Sequence, residues 1–178
     1  MTDAERFEAF VRSYQHMVFG VAVRLLGDAA EAEDVAQTVF LRAFERFDAL
    51  RAGPAAAGWL RTVATNLCLN HLSRFRRRWR PFADVRPVLE EAGGEAVLDP
   101  PSPDETPADA LIRAERAARL ERAMRTLPAH QRVPLVLFHF EERSYQEIAE
   151  ALDVSLAKVK TDIHRGREAL RRELDDAF

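Results

Sequence analysis

The chain has little of several features that mark common classes of protein. Its 178 residues include one cysteine and seven glycines. One cysteine excludes an internal disulfide framework, and no glycine-rich phosphate loop or dinucleotide fingerprint occurs. The longest apolar runs, VPLVLFHF and MVFGVAV, fall well short of the roughly 20 residues that cross a membrane, and the start MTDAERFEAF lacks the regions of a signal peptide. We therefore expect a cytoplasmic protein with no membrane insertion.

The sequence also lacks a recognisable catalytic set. Its five histidines are scattered, and no carboxylate or nucleophile accompanies them at a typical spacing. Cys68 and His71 stand three residues apart, which is half of a metal-site pattern, but no second pair of ligands is near them. We predict that the protein is not an enzyme and that it binds no cofactor and no metal.

The composition favours helices. Alanine, leucine, arginine and glutamate are abundant and glycine is scarce. Apolar residues recur at helical spacing over residues 3–26, 28–47, about 59–78 and about 111–125, and again after residue 127. Gly53-Pro54 interrupts the pattern within DALRAGPAAAG. We predict an all-α fold of two small helical domains, residues 1–80 and 111–178.

Residues 81–110 differ from the rest of the chain. They hold six of the nine prolines, and eight acidic residues against the single Arg86 give this segment a net charge of −7. Such a segment buries too little apolar surface to offset the entropy of ordering it. We predict an acidic, proline-rich linker between the two domains.

The segment SYQEIAEALDVSLAKVKTDIHRGREAL, residues 144–170, predicts two helices around a tight turn. Ser144 and Glu147 form a capping box, and Ser155 can cap the second helix. Residues 154–172 contain six Lys or Arg against two acids, a local net charge of +4. A basic helix after a capped turn is typical of a helix-turn-helix that neutralises DNA phosphates. The plainer alternative is a solvated amphipathic helix.

The helix predicted near residues 59–78 has a second polar face, formed by Thr62, Asn66, Asn70, Ser73 and Arg77. Its end, SRFRRRWR, carries five arginines and no acid. Asn and Arg donate hydrogen bonds to phosphates and base edges, and aromatic rings such as Phe75 and Trp79 stack on unpaired bases. Arginines at a helix C-terminus are also explained by the helix dipole, and the aromatic residues by a hydrophobic core.

Three motifs, in this order, resemble sigma factors of bacterial RNA polymerase of the extracytoplasmic-function (ECF) type. DAAEAEDVAQTVFLRAFERF resembles their polymerase-binding helix, and WLRTVATNLCLNHLSRFRRR resembles the helix that melts and reads the −10 promoter element. The segment from Leu127 to Leu174 resembles the domain that reads the −35 element. The resemblance implies a factor that binds core RNA polymerase, directs it to −35/−10 promoters and assists promoter melting. It also implies an anti-sigma factor as a partner.

The resemblance assigns roles to individual positions. The polymerase-binding residues would be Asp34, Gln37, Phe40 and Leu41. The −10 residues would be Asn66, Asn70, Arg74, Arg76, Arg77 and Arg78. The −35 residues would be Lys158, Lys160, Thr161, His164, Arg165 and Arg167. The loop from Asp48 to Ala57 would capture a flipped-out promoter base, and the acidic linker would run toward the polymerase active-site cleft and the RNA exit path.

Four residues depart from the family pattern. Asp162 replaces a common arginine, and we expect it to place an anion on or near the DNA-facing side. Asp153 replaces a turn glycine, and because aspartate tolerates the left-handed conformation we expect the turn to survive. Glu142 stands where a helix-ending glycine is common, and Pro134 should kink the helix that contains it.

Two other function classes stay open from the sequence alone. A stand-alone helix-turn-helix regulator would bind an operator as a dimer, but that function leaves the Asn/Arg face and the acidic linker without a role. A helical scaffold without transcription activity would be favoured if Asp162 abolished promoter contact.

Overall fold

The computed structural model describes residues 2–51, 55–79 and 106–175, with side chains up to Arg74 in the second range. These residues form eight helices and no strand, which confirms the predicted all-α class. The helices are α1 (Asp3–Leu26), α2 (Ala29–Phe44), α3 (Phe47–Arg51), α4 (Ala56–Trp79), α5 (Pro107–Thr126), α6 (Ala129–His139), α7 (Tyr145–Leu152) and α8 (Leu156–Asp175). None of these helices is both long and apolar enough to span a bilayer. The chain divides into two units, Met1–Ala92 and Gly93–Phe178.

The first unit is built on α1, α2 and α4. Helix α1 ends at Gly27, whose φ of 76° is the left-handed conformation that glycine adopts without steric cost. Asp28 then caps α2 by accepting a hydrogen bond from the Glu31 N–H at 2.9 Å. This short connection brings the apolar faces of α1 and α2 together over α4. The core between them is formed by buried side chains that include Val18, Val21, Leu25, Val39 and Leu60.

The chain after α2 differs from the prediction. Helix α2 ends at Phe44 instead of continuing to Phe47, and the short helix α3 occupies part of the predicted loop. The cause is an aromatic cluster in which the Phe7 ring lies 5.0 Å from Phe44 and 5.1 Å from Phe47, edge to face in both cases. Helix α4 begins at Ala56, a little before the predicted start. Gly53-Pro54 lies outside the described residues.

The second unit surrounds α8 with α5, α6 and α7. Helix α5 begins at Pro107, inside the predicted linker, because Thr106 and Asp109 form a capping box and proline suits the first helical position. Helix α8 closely approaches α6 at Gly166, where an added Cβ would lie 2.9 Å from Cδ1 of Leu135. The predicted linker residues before Thr106 lie outside the described part of the chain.

Helix α6 accommodates two of the departures from the family pattern. It begins at Ala129 and continues through the buried Pro134 to His139. The predicted kink at Pro134 stays a prediction. Glu142 follows the helix with a φ of 52°, the left-handed conformation in which glycine is common. This conformation returns the Arg143 N–H to the Leu137 carbonyl at 3.0 Å and closes the end of the helix.

Candidate nucleic-acid and polymerase interfaces

The turn between α7 and α8 is built by local hydrogen bonds. Glu147 accepts from the Ser144 N–H at 2.8 Å, and the Ser144 hydroxyl accepts from the Glu147 N–H at 3.3 Å. The Ser144 hydroxyl also donates to Oε2 of Glu147 at 2.7 Å, and this bond, followed by the one from the Ser144 N–H, holds the pKa of the Glu147 carboxyl below its usual value. Asp153 ends α7 in the left-handed conformation, with φ 53° and ψ 52°. Ser155 then accepts from the Lys158 N–H at 3.2 Å. The predicted capping box and the predicted survival of the turn at Asp153 are both confirmed.

Helix α8 turns one stripe inward and leaves another exposed. Its buried stripe contains Val159, Ile163, Gly166 and Leu170. The opposite, exposed face carries four of the predicted −35 residues, namely Lys160, Thr161, His164 and Arg165. Among the described residues neither Lys160 nor Arg165 has an ion-pair partner, so both cations are available to phosphates. We call these four residues the outer face of α8.

Asp162 does not lie on the outer face. Its position three residues after Val159 and four before Gly166 places it on the buried stripe, and the residue is 5% exposed. Its Oδ2 accepts a hydrogen bond from Nζ of Lys158 at 2.7 Å. The prediction of an anion on the DNA-facing side is therefore wrong. The helical spacing that marks the buried stripe also contained the signal for this placement.

Arg167 borders the outer face on the side away from Lys158, and its side chain contacts α6. Its Nε donates to Nε2 of His139 at 3.1 Å, and its Cζ lies 5.4 Å from the centroid of the Phe138 ring. Burial, and secondarily the charge of Arg167, lower the pKa of His139. The six predicted −35 residues therefore divide into four on the outer face and two, Lys158 and Arg167, that are held by groups of the same unit.

The predicted −10 face lies on α4. Asn66, Asn70 and Arg74 are exposed, while Leu60, Ala64 and Cys68 on the opposite side are fully buried. The side chains of Arg76, Arg77 and Arg78 lie outside the described residues. Cys68 and His71, the half of a metal-site pattern, lie in different surroundings. Cys68 is buried, whereas Nε2 of His71 lies 3.2 Å from Oε1 of Glu31 on α2.

The predicted polymerase-binding residues lie on the outer side of α2. Asp34, Gln37 and Leu41 are exposed along one line of the helix, and Leu41 is 69% exposed. Phe40 is half-buried and lies beside this line. Phe44 continues the line and is 61% exposed. Positions 34, 37, 41 and 44 are three or four residues apart, so the sequence alone could have placed Phe44 on the same face as the other three. We call Asp34, Gln37, Leu41 and Phe44 the outer stripe of α2.

The loop predicted to capture a flipped base is partly helical. Asp48 and the residues up to Arg51 belong to α3, and Ala56 and Ala57 open α4. Residues 52–54 lie outside the part of the chain that the structure describes. The structure thus places both ends of this segment in helices of the first unit.

Comparison with known proteins identifies both units. Residues 10–80 match the model of Sigma-70 region 2, and residues 117–170 match that of Sigma-70, region 4. The chain is 35% identical over 176 residues to the RNA polymerase sigma-H factor of Pseudomonas aeruginosa, covering 97% of this chain and 88% of the relative. It is 33% identical over 179 residues to the ECF RNA polymerase sigma factor SigW of Bacillus subtilis, covering 98% of this chain and 91% of the relative.

A solved structure shares the fold. It is the complex of the sigma factor RpoE with the anti-sigma factor NepR from Bartonella quintana, and the match covers 96% of this chain and 98% of that chain. The TM-score is 0.50 at 21% identity. Both units thus match sigma-factor regions in order, and the relatives are similar along nearly their whole length. The chain belongs to the ECF family of bacterial RNA polymerase sigma factors.

Proposed function

We infer that this chain binds core RNA polymerase, directs it to −35/−10 promoters and assists promoter melting. The observation that carries this inference is the presence of two exposed nucleic-acid-type faces in two separate units. The outer face of α8 has the placement of a recognition helix, which enters the major groove after a capped turn. The α4 face offers Asn66, Asn70 and Arg74, whose side chains donate to phosphates and base edges.

Each unit would take one step of initiation. We assign residues 1–80 to polymerase binding and the −10 element, residues 81–110 to an acidic linker whose last four residues open α5, and residues 111–178 to the −35 element. On the first unit the outer stripe of α2 would bind polymerase, because Leu41 and Phe44 expose apolar surface beside the polar Asp34 and Gln37. On the same unit the α4 face would hold unpaired bases and so favour the melted promoter. The linker, with its net charge of −7, would run toward the polymerase active-site cleft and the RNA exit path.

The partners follow from this function. They are core RNA polymerase, promoter DNA and an anti-sigma factor, the last supported by the fold neighbour that was solved with one. Sigma factors are initiation factors, so we propose that this chain itself catalyses no covalent chemistry and acts in the cytoplasm with the polymerase. The functional groups of both faces are donors and cations suited to binding.

The direct test is a reconstituted run-off transcription assay. It combines core polymerase, the full chain, and the DNA upstream of its own gene and of neighbouring operons. We expect discrete transcripts that appear only when the chain is present. Duplex binding by the chain alone, without any polymerase-dependent transcript, would instead support a stand-alone regulator and overturn the proposed function.

A further inference from the structure

Four side chains join α6, α7 and α8 beside the outer face of α8. The Phe138 ring lies 4.7 Å from the Tyr145 ring at the start of α7 and 4.9 Å from the His139 ring, measured between centroids. Arg167 of α8 completes the group through its hydrogen bond to His139 and its position over Phe138. The group therefore connects α8 to α6 and α7, two of the three helices that surround it.

The hydrogen bond defines the chemical state of His139. Nε2 accepts from a guanidinium N–H, so this nitrogen carries no proton. The guanidinium also gains the attraction of a cation for the face of an aromatic ring. These contacts direct Arg167 toward α6. An arginine held in this way is not extended toward a phosphate in front of the outer face.

We propose that Arg167 and His139 form a latch that positions α8 for promoter recognition, and that protonation of His139 opens this latch. The inference rests on the proposed function and concerns the second unit alone. Arg167 is thus a positioning residue that acts through α6, whereas Lys160 and Arg165 of the outer face contact DNA. A protonated His139 would present a second cation and a donor where Arg167 needs an acceptor, so the contact would be lost.

The direction of the pH effect follows from the surroundings of His139. Arg167 faces it from α8, Tyr145 of α7 lies against the neighbouring Phe138, and Glu141, Glu142 and Arg143 follow it in the chain. Burial and Arg167 lower the pKa of His139 from its ordinary value of 6.5. The latch is therefore closed at and above that value, and it opens as the pH falls through the lowered pKa.

The salt dependence of promoter binding separates a latch from a DNA contact. The assay measures the affinity of holoenzyme for promoter DNA over a salt series, with full-length variants whose folding is checked by circular dichroism. Loss of a phosphate contact should reduce the slope of log affinity against log salt by about 1. We expect this for Arg165→Gln. We expect Arg167→Gln to weaken binding roughly threefold to tenfold, as for loss of one hydrogen bond, with the slope unchanged.

The pH dependence tests the role of His139. His139→Gln keeps an acceptor for Arg167 and removes the titration, so binding at pH 7 should match the wild type while the weakening at acidic pH should shrink. His16→Gln, an exposed substitution on α1 of the other unit, is the matched control and should retain that weakening. A nuclear magnetic resonance titration of full-length protein adds a readout that needs no DNA, in which the pKa of His139 should rise in Arg167→Gln.

Several outcomes would overturn the latch. They are a slope for Arg167→Gln reduced as in Arg165→Gln, an acid response of His139→Gln equal to that of the wild type, or an unchanged His139 titration in Arg167→Gln. Failure of the wild-type holoenzyme to bind the promoter would count against the proposed function instead. The titration still tests the latch in that case, so the two failures are distinguishable.

Discussion

At the scale of single residues, some basic side chains of α8 are bound by other side chains of the second unit and others are not. Six basic residues in the segment 154–172 suggest a broad cationic surface. Lys158, however, is paired with a buried carboxylate and Arg167 is bound to His139. Lys160 and Arg165 are exposed as well, and they differ from Lys158 and Arg167 because neither is held by another described side chain. We therefore expect Lys160 and Arg165 to make the direct phosphate contacts of the predicted −35 set.

The first residue-scale prediction concerns these two cations. Lys160→Ala and Arg165→Ala should each weaken promoter binding by holoenzyme and reduce its salt slope by about 1, because each removes one phosphate contact. The measurement is the affinity over a salt series. Arg12→Ala is the control, since Arg12 lies on α1 and pairs with Glu8. If the salt slope stays unchanged in both α8 variants, this helix does not contact DNA phosphates through these residues.

The second residue-scale prediction concerns Asp162. Asp162→Arg should lower the free energy of unfolding by at least about 2 kcal/mol, because a cation would replace the buried carboxylate that accepts from Lys158. Chemical denaturation of the full chain checks this, with Asp175→Arg at the exposed end of α8 as the control. If Asp162→Arg leaves the stability unchanged and tightens DNA binding, Asp162 lies on the DNA-facing side after all.

The sequence predicted single residues well where the cause is local. The capping box at Ser144 and the left-handed Asp153 both depend on neighbours in the chain, and both are present. The error at Asp162 arose because the residue type suggested a solvated charge while the spacing placed it inward. The end of α2 at Phe44 was missed for a different reason, since the edge-to-face contacts of Phe7 with Phe44 and Phe47 join residues far apart in the chain.

At the scale of helices, two glycines in similar helices have opposite environments. Gly166 allows α8 to approach α6, and an added Cβ would lie 2.9 Å from the buried Leu135 side chain and 3.5 Å from the Gln131 carbonyl oxygen. Gly58 lies in α4 with nothing within 4 Å of an added Cβ. The same substitution thus tests packing at one site and helix propensity at the other.

We expect Gly166→Ala to destabilise the second unit by about 1–3 kcal/mol, because the Cβ overpacks a well-filled contact. Gly58→Ala should stabilise the first unit by up to about 1 kcal/mol, since alanine has the higher helix propensity. Thermal unfolding of the full chain measures both. Equal stabilisation by the two substitutions would show that α6 and α8 can separate at Gly166 without loss.

Helix starts were predictable where the sequence contains a capping residue followed three positions later by an acidic residue. Asp28 with Glu31, and Ser144 with Glu147, marked the starts of α2 and α7. The start of α5 was missed because its Thr106–Asp109 box lies in a proline-rich, acidic context. Helix α3 could not be predicted, because its position depends on contacts of Phe47 with Phe7 and Phe10 of α1.

At the scale of the whole molecule, the proposed polymerase-binding and −35 surfaces belong to different units, Met1–Ala92 and Gly93–Phe178. Substitutions on the outer stripe of α2 should therefore impair holoenzyme formation without altering the outer face of α8. The two-unit organisation was predictable from the change of composition after residue 80. Assignment of roles to the units required the resemblance to sigma factors, because charge patterns alone do not distinguish polymerase from other partners.

We expect Asp34→Arg and Phe44→Ala each to weaken binding to core polymerase by roughly tenfold or more, the size typical of a central interface residue. The measurement is the affinity of full-length variants for core polymerase in a direct binding assay. Glu115→Arg, an exposed substitution on α5 of the other unit, is the matched control and should bind normally. Normal binding of core polymerase by both α2 variants would show that polymerase does not bind at the outer stripe of α2.

Leu41 and Phe44 also affect the unbound chain. Two large apolar side chains that are 69% and 61% exposed favour self-association, which we expect to limit solubility when polymerase is scarce. Any chaperone or protease that recognises exposed apolar residues would find them most readily on the unbound protein. Polymerase would cover the same residues on binding, so the half-life of the factor would lengthen with its occupancy. Turnover would then match the amount of this factor to the amount of enzyme available to use it.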